Sequence, residues 1–236
     1  MSYLDVASGA VVAQQSSEVR AIFIKKTYLH VALALAGLAM LESLWISLGF
    51  GSRAIQVLSV SQYSWLIVMA LFIGCGFVAN RWAHNGASRS MQYAGLGLLV
   101  FAWSIVMLPM VEYARLLFPG VLSQAAVITG SLVAALTFIV FTTRKDFSFL
   151  GPVVSIGVMV AFGVIVASYF FGFHLGTFFC GVMVLLMAAS VLYDTSNIVH
   201  HYHEDQYVGA SLSLFSSIAM MFYYVVSFLM SFAGGD

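Results

Sequence analysis

Hydrophobic positions in this chain form seven long runs that are separated by short polar connectors. Each run is close to the 20 or so residues that an α-helix needs to cross the roughly 30 Å hydrocarbon core of a bilayer. We predict spanning helices over residues 27–50, 62–78, 91–111, 125–142, 149–171, 175–193 and 208–232. The pattern therefore predicts an all-α integral membrane protein, with one seven-helix domain over residues 27–236 and a polar tail over residues 1–26.

The composition agrees with a membrane protein and excludes several other classes. Hydrophobic residues make up 62% of the 236 residues and charged residues 8%, whereas soluble domains contain about 45–50% and 25%. Nine basic and nine acidic residues balance, so no basic face exists for nucleic acid. The two cysteines, Cys75 and Cys180, lie in apolar runs and cannot form a disulfide framework or a zinc cluster. The lipid bilayer is the first predicted partner.

The positions of lysine and arginine predict how the chain crosses the membrane, because cytoplasmic connectors are enriched in both. One side carries seven of these residues and the other side carries two, Arg53 and Arg115. The seven are Arg20, Lys25, Lys26, Arg81, Arg89, Arg144 and Lys145. This asymmetry predicts a cytoplasmic N-terminus, although the connector before the last span has no lysine or arginine.

Small residues on the fourth predicted span indicate where helices pack. Ala126, Gly130 and Ala134 recur every four residues and form one smooth face. Small residues let helix backbones approach closely in a membrane. We therefore expect this face to contact another helix.

Two acidic residues lie within or at the end of a predicted span, and a central aspartate costs roughly 2.5 to 3.5 kcal/mol on insertion scales. Glu42 is near the outer end of the first span, and we expect its side chain to reach water. Asp194 closes the sixth span and is followed by Thr195, Ser196 and Asn197, which can hydrogen-bond it. Asp194 is either a protonation switch or a helix-end aspartate in contact with the cytoplasm.

A histidine-rich connector follows Asp194. It contains His200, His201, His203, Glu204 and Asp205, which could sense pH or bind a metal. The spacing lacks the helical i, i+4 pair of a zinc site, and no cysteine joins it. We predict a solvated loop with no metal site and keep a pH-sensing role as the alternative.

Three classes of membrane protein are excluded by missing residues. The lysines lie outside the predicted spans, so none can carry retinal. Ser211 lacks the second glycine of a rhomboid-type serine motif. Tyr193–Asp194 matches half of an intramembrane aspartyl protease, but the seventh span has no aspartate, and one carboxylate cannot do the work of two. We therefore predict no catalytic residues.

Two motifs carry a resemblance to a known family. TTRKDFSFLG (142–151) joins the fourth and fifth spans, and LYDTSNIVHH (192–201) closes the sixth, before the YVGASLSLFSSIAMMF sequence of the seventh. Together they resemble the transmembrane Bax-inhibitor-motif family, and in particular its bacterial branch of modulators of the FtsH protease. The resemblance implies seven helices with the last one central and surrounded by the other six.

The resemblance also implies a site. Calcium-leak members have two aspartates that form a pH-sensing pair at the cytoplasmic end of a pore. Asp194 matches the first, Ser217 stands at the position of the second, and Arg81 matches an arginine that can pair with them. Burial disfavours a charged carboxylate and an ion pair with Arg81 favours it, so the sequence leaves the protonation state of Asp194 open.

The function implied by this branch is regulatory. We expect a non-enzymatic, multi-pass protein of the bacterial inner membrane that binds and restrains an FtsH-type AAA protease, to which it offers its N-terminal tail. The alternative is a pH-sensitive calcium or cation leak gated at Asp194. Neither function implies a cofactor, and calcium enters only as a permeating ion.

Overall fold

The computed structural model describes residues 11–61, 63–84 and 88–234, and nearly all of them are helical. The elements in chain order are the short 3-10 helix η1 (Val12–Gln14), α1 (Ser17–Ser47), α2 (Phe50–Val60), α3 (Ser64–His84), α4 (Arg89–Leu117), α5 (Val121–Thr143), α6 (Leu150–Phe171), α7 (Gly176–His200) and α8 (Tyr207–Gly234). Seven of them, all except η1 and α2, are long and apolar enough to cross a membrane. The predicted all-α, seven-helix membrane fold is confirmed.

The first spanning helix begins inside the predicted polar tail. The Ser16 hydroxyl accepts a hydrogen bond from the backbone N–H of Val19 at 3.4 Å, which caps one of the unpaired donors at the start of α1. At the other end the chain turns at Gly49, whose φ of 76° is left-handed and suits glycine. The helix α2 follows at once and packs against α1, α3 and α4.

The helix α8 lies at the centre of the bundle. It packs against α1, α3, α4, α5 and α7. In the described chain, α6 packs against α7 and no other helix. The central place of the last helix is therefore confirmed, but the expectation that all six other spans surround it is wrong for α6, because α7 lies between the two.

Close helix packing occurs at Gly95 but not on the predicted small-residue face. A Cβ atom on Gly95 of α4 would lie 2.6 Å from the carbonyl oxygen of Ala79 in α3, and no atom lies within 4 Å of one built on Gly130. Ala126, Gly130 and Ala134 are all exposed. The expected helix contact there is wrong, because this face of α5 points away from the bundle.

The N-terminal parts of α1, α4 and α8 meet at one end of the bundle. Lys26 of α1 and Arg89, the first residue of α4, both lie over the ring of Tyr207, the first residue of α8. The distribution of positive charge predicts that this end faces the cytoplasm, and that orientation stays a prediction.

Candidate functional site at the α7–α8 end

Asp194 and Ser217 lie in contact across the interface between α7 and α8. The Ser217 hydroxyl donates a hydrogen bond to Oδ2 of Asp194. The same Ser217 oxygen is 2.8 Å from the hydroxyl oxygen of Ser190, one turn before Asp194. Because a hydroxyl has one proton, Ser217 donates to Asp194 and accepts from Ser190. The three side chains therefore form a directed chain of hydrogen bonds.

This chain is buried inside the bundle. The exposed fractions are 8% for Asp194, 7% for Ser217 and 9% for Ser190. An ionisable side chain within a membrane span is a candidate for function. The interpretation of Asp194 as a residue in contact with the cytoplasm does not fit this burial, whereas its role as a protonation switch stays a prediction.

Arg81 does not join this site. It lies in the last turn of α3 and is exposed. The ion pairs of the described residues are Glu112–Arg115 and Asp146–His201, so the ion pair between Asp194 and Arg81 is not formed. Ser217 is the hydrogen-bond donor that Asp194 has instead.

The two motifs behind the family resemblance contact each other. Asp146, in the α5–α6 connector, accepts from the backbone N–H of Ser148 at 2.9 Å and pairs with Nε2 of His201 at 3.0 Å. The Ser196 hydroxyl of α7 accepts from the backbone N–H of Phe147 at 2.8 Å. The Ser148 amide, helped by His201, holds the pKa of Asp146 below its ordinary value. Sequence reasoning did not single out Asp146.

The histidine-rich connector is not gathered around one point. His200 Nδ1 is 3.0 Å from the carbonyl oxygen of Ser196, and the backbone N–H of His203 donates to the side chain of Gln206. Glu204 and Asp205 are exposed. Among the described residues, no three His, Cys, Asp or Glu side chains are grouped so that they could hold a metal ion, and the role of the connector as a pH sensor stays a prediction.

The segment before α1 is hydrogen-bonded to the same connector. The backbone N–H of Val12 donates to the carbonyl oxygen of Tyr202 at 2.9 Å, and Val11 forms an isolated bridge with His203. The Val12 side chain is fully buried. Burial raises the pKa of the Tyr202 phenol, and the nearby Asp194 adds to the rise. Residues 11–16 therefore pack against α7 and the connector that follows it.

Glu42 behaves differently from its prediction. Its side chain is 7% exposed, and neither carboxylate oxygen has a hydrogen-bond partner among the described residues. The expected route to water is wrong, because α1 turns this residue toward its packed side. A third acid, Glu112, lies one residue past the predicted third span, and the sequence analysis did not single it out. It is paired with Arg115 at 2.9 Å and accepts from Ser52 of α2.

Comparison with known proteins identifies the family. The family model described as inhibitor of apoptosis-promoting Bax1 matches residues 20–234, which is nearly the whole described chain. The chain belongs to the Bax inhibitor-1-like family. The Asp194–Ser217 site and both contacting motifs lie within the matched region of this family.

Three relatives illustrate how far the similarity extends. The modulator of FtsH protease YccA of Escherichia coli K12 is 37% identical over 100 residues, which are 41% of this chain and 44% of YccA. The uncharacterized protein PA2604 of Pseudomonas aeruginosa is 37% identical over 122 residues, 50% of this chain and 52% of the relative. Protein LIFEGUARD 3 of Arabidopsis thaliana is 26% identical over 233 residues, 91% of this chain and 86% of the relative.

The first of these similarities covers less than half of each chain. YccA also carries the name inner membrane protein in a second E. coli strain. This chain has seven helices that are long and apolar enough to span a membrane, and it is a multi-pass membrane protein.

Proposed function

We propose that this protein is a non-enzymatic regulator that binds an FtsH-type membrane AAA protease and restrains it. The observation that carries the proposal is the 37% identity to YccA, which is named as a modulator of that protease, within a family match over residues 20–234. The protein acts by occupying the protease, so that other membrane substrates are degraded more slowly.

The contacts of residues 11–16 bear on how a protease would hold the tail. Residues 11–16 are fastened to the connector through Val12 and Tyr202, and α1 begins at Ser17. The first ten residues lie outside the described part of the chain. A protease that pulls on them meets the buried Val12 next and must detach it before α1 can be extracted, which slows its entry.

The test uses the full-length protein and an FtsH-type protease in the same proteoliposomes, with a second membrane protein as the degradation substrate. We expect added protein to slow degradation of that substrate, and deletion of residues 2–10 to remove the effect. Asp194→Asn is the matched variant at the other candidate site and is expected to restrain the protease normally. Unchanged degradation of the substrate at saturating amounts of the wild-type protein would contradict the proposal.

The fastening of Val12 is tested separately. Val12→Asp places a charge in a fully buried position and is expected to release residues 11–16. The protease should then degrade this variant faster than the wild type. Gln14→Asp, in the same short helix and exposed, is the control and is expected to leave the rate unchanged.

A second function is supported by the buried Asp194. We propose as the alternative that this carboxyl gates a pH-sensitive cation leak, with the Ser190–Ser217–Asp194 chain as its closed form. Calcium-loaded liposomes at pH 6 and pH 8 test this. Efflux that depends on pH in the wild type and not in Asp194→Asn supports the leak, with Glu18→Gln, an exposed acid in the first turn of α1, as control. Efflux equal to that of empty liposomes contradicts it.

A further inference from the structure

A pocket with charged residues in its lining lies where α1, α4 and α8 meet. It has a volume of about 300 Å³ and is lined in part by Lys26, Arg89 and Tyr207. The Lys26 Nζ is 5.4 Å and the Arg89 Cζ 4.9 Å from the centre of the Tyr207 ring. The Arg89 guanidinium also donates to the Tyr207 hydroxyl. These cation–π contacts hold two positive charges on one wall of the pocket.

Two negative charges line the same pocket. Glu204 and Asp205 come from the α7–α8 connector. In the described chain the ion pairs lie elsewhere, at Glu112–Arg115 and Asp146–His201. The two cations and two carboxylates thus share a pocket without neutralising each other at ion-pair distance. Such an arrangement complements a ligand that carries both a positive and a negative group.

The position of the pocket favours a lipid. Its third wall is apolar and consists of Val19, Ile22 and Phe23 of α1, and Ile22 is 47% exposed. Lys26 directly precedes the apolar run of the first span, which places it at the level of lipid head groups. Charged pockets between helices at this level are suited to phospholipid head groups, and one with charges of both signs suits a zwitterionic head group.

We propose that this pocket binds the head group of a phospholipid that carries a phosphate diester and a primary ammonium group, that is, phosphatidylethanolamine. The phosphate lies against Lys26 and Arg89, and the ammonium lies against Glu204 and Asp205. The starts of α4 and α8 add the positive ends of two helix dipoles on the phosphate side. Because Lys26 follows Ile22 by one turn of α1 toward the predicted span, the acyl chains leave the pocket past Lys26 toward the bilayer core. This binding is independent of any protease.

The chemistry separates this lipid from its alternatives. Phosphatidylcholine has the same charges, but its quaternary ammonium has no N–H group to donate to a carboxylate. Phosphatidylglycerol has a phosphate and no cation, so Glu204 and Asp205 would stand unpaired or repel it. Soluble phosphoethanolamine offers both charges but no acyl chains to enter the bilayer or the detergent micelle.

The test measures lipid binding to the full-length protein in detergent by native mass spectrometry. The probes are phosphatidylethanolamine, phosphatidylcholine and phosphatidylglycerol with identical acyl chains, and soluble phosphoethanolamine as competitor. We expect phosphatidylethanolamine to bind most tightly and the soluble competitor to displace it poorly. Tighter binding of phosphatidylglycerol, equal binding of phosphatidylcholine, or equal binding of the soluble head group would overturn the proposal.

Neighbouring lysines provide matched variants. Lys26→Gln is expected to weaken phosphatidylethanolamine binding about fivefold, the loss of one cation near a membrane surface. Lys25→Gln changes the adjacent exposed residue, which does not line the pocket, and should change nothing. Equal losses in the two variants would show a general charge effect and overturn the site.

The carboxylate side has its own variant. Glu204→Gln combined with Asp205→Asn is expected to lower phosphatidylethanolamine binding to the level of phosphatidylcholine. Because Arg89 also bonds Tyr207, Arg89→Gln can disturb the fold, so the lysine and carboxylate variants carry the test. A double variant that keeps its preference for phosphatidylethanolamine would overturn the assigned ammonium contact.

Discussion

The helices α6 and α8 differ in burial although both are long and apolar. The most apolar window of α6 has a mean hydropathy of 2.4 and is 6% buried, whereas that of α8 has 1.8 and is 50% buried. Lipid tails are as apolar as leucine, so apolar character alone does not draw a helix into a membrane bundle. The less apolar helix is therefore the central one.

The residues of α8 explain its place. It buries small and hydroxyl side chains, among them Gly209, Ser211 and Ser217. A Cβ atom on Gly209 would lie 3.0 Å from the His84 ring, so α8 comes close to the end of α3. By contrast, α6 presents large side chains such as Phe162 and Phe170 on its exposed surface. Close packing and hydrogen bonds select the centre, and bulky apolar residues suit the lipid.

The largest expected difference between the two helices concerns phenylalanine. Phe215 of α8 is fully buried and Phe170 of α6 is 66% exposed. Phe215→Ala is expected to lower the free energy of unfolding by about 2–3 kcal/mol, less than in a soluble core because detergent also solvates the ring. Phe170→Ala should stay within about 0.5 kcal/mol. Unfolding in sodium dodecyl sulfate measures both, and equal losses would contradict the comparison.

The next largest effect is expected at the Asp194 site. Ser217→Ala removes the hydroxyl that donates to Asp194 and leaves a buried acceptor without its donor. We expect a loss of about 1–3 kcal/mol in the free energy of unfolding. Ser216→Ala is the matched control, because its hydroxyl bonds only the carbonyl oxygen of Leu212 in its own helix and should cost less. The reverse order would show that Ser217 does not support Asp194.

A smaller effect is expected where α6 touches α7. A Cβ atom on Gly157 would lie 2.5 Å from a methyl carbon of Leu186, and nothing lies within 4 Å of one on Gly163. Gly157→Ala forces Leu186 to move and is expected to cost about 1 kcal/mol in the same unfolding assay. Gly163→Ala should be neutral or slightly stabilising. Equal behaviour of the two variants would mean that α6 does not rest on α7 at Gly157.

The smallest effect concerns the connector that precedes α6. The pKa of Asp146 is lowered in the folded protein by the Ser148 amide and His201. This contact therefore stabilises the fold above the unfolded pKa of about 3.9, and the stabilisation is lost as the pH falls through the lower folded value.

The acid dependence can be measured directly. The temperature of thermal unfolding should fall less steeply between pH 6 and pH 3 in Asp146→Asn than in the wild type. The difference should be small because Asp146 and His201 are half exposed, and exposed ion pairs contribute little. Asp205→Asn is the control and should follow the wild type. Identical profiles for Asp146→Asn and wild type would show that the pair does not contribute.

Apolar run length was enough to predict the spanning helices. It could not predict α2, because 11 residues are too few for a membrane span and fall below the window that detects one. It also could not place α6, since lipid-facing and protein-facing apolar residues look alike in a sequence. The prediction of a helix contact at Gly130 is wrong for the same reason.

The site was predictable only in part. The family resemblance brought Asp194 and Ser217 into one region, and they lie in contact. Three other features depend on which helix faces which: the hydrogen bond between Ser190 and Ser217, the pairing of Asp146 with His201, and the burial of Glu42. A single sequence does not contain that information. Glu112 carried a signal, the arginine three residues later, one turn along a helix.

The central place of α8 also has a consequence for how the protein is made. Ribosomes deliver the chain from its N-terminal end, so α1 to α7 enter the bilayer before the helix that most of them pack against exists. Until α8 arrives, the surfaces that it will cover, including Asp194, are filled by lipid or by neighbouring helices. The packing of the bundle around α8 therefore follows translation of the segment after Tyr207, whereas contacts such as that between α3 and α4 can form before it.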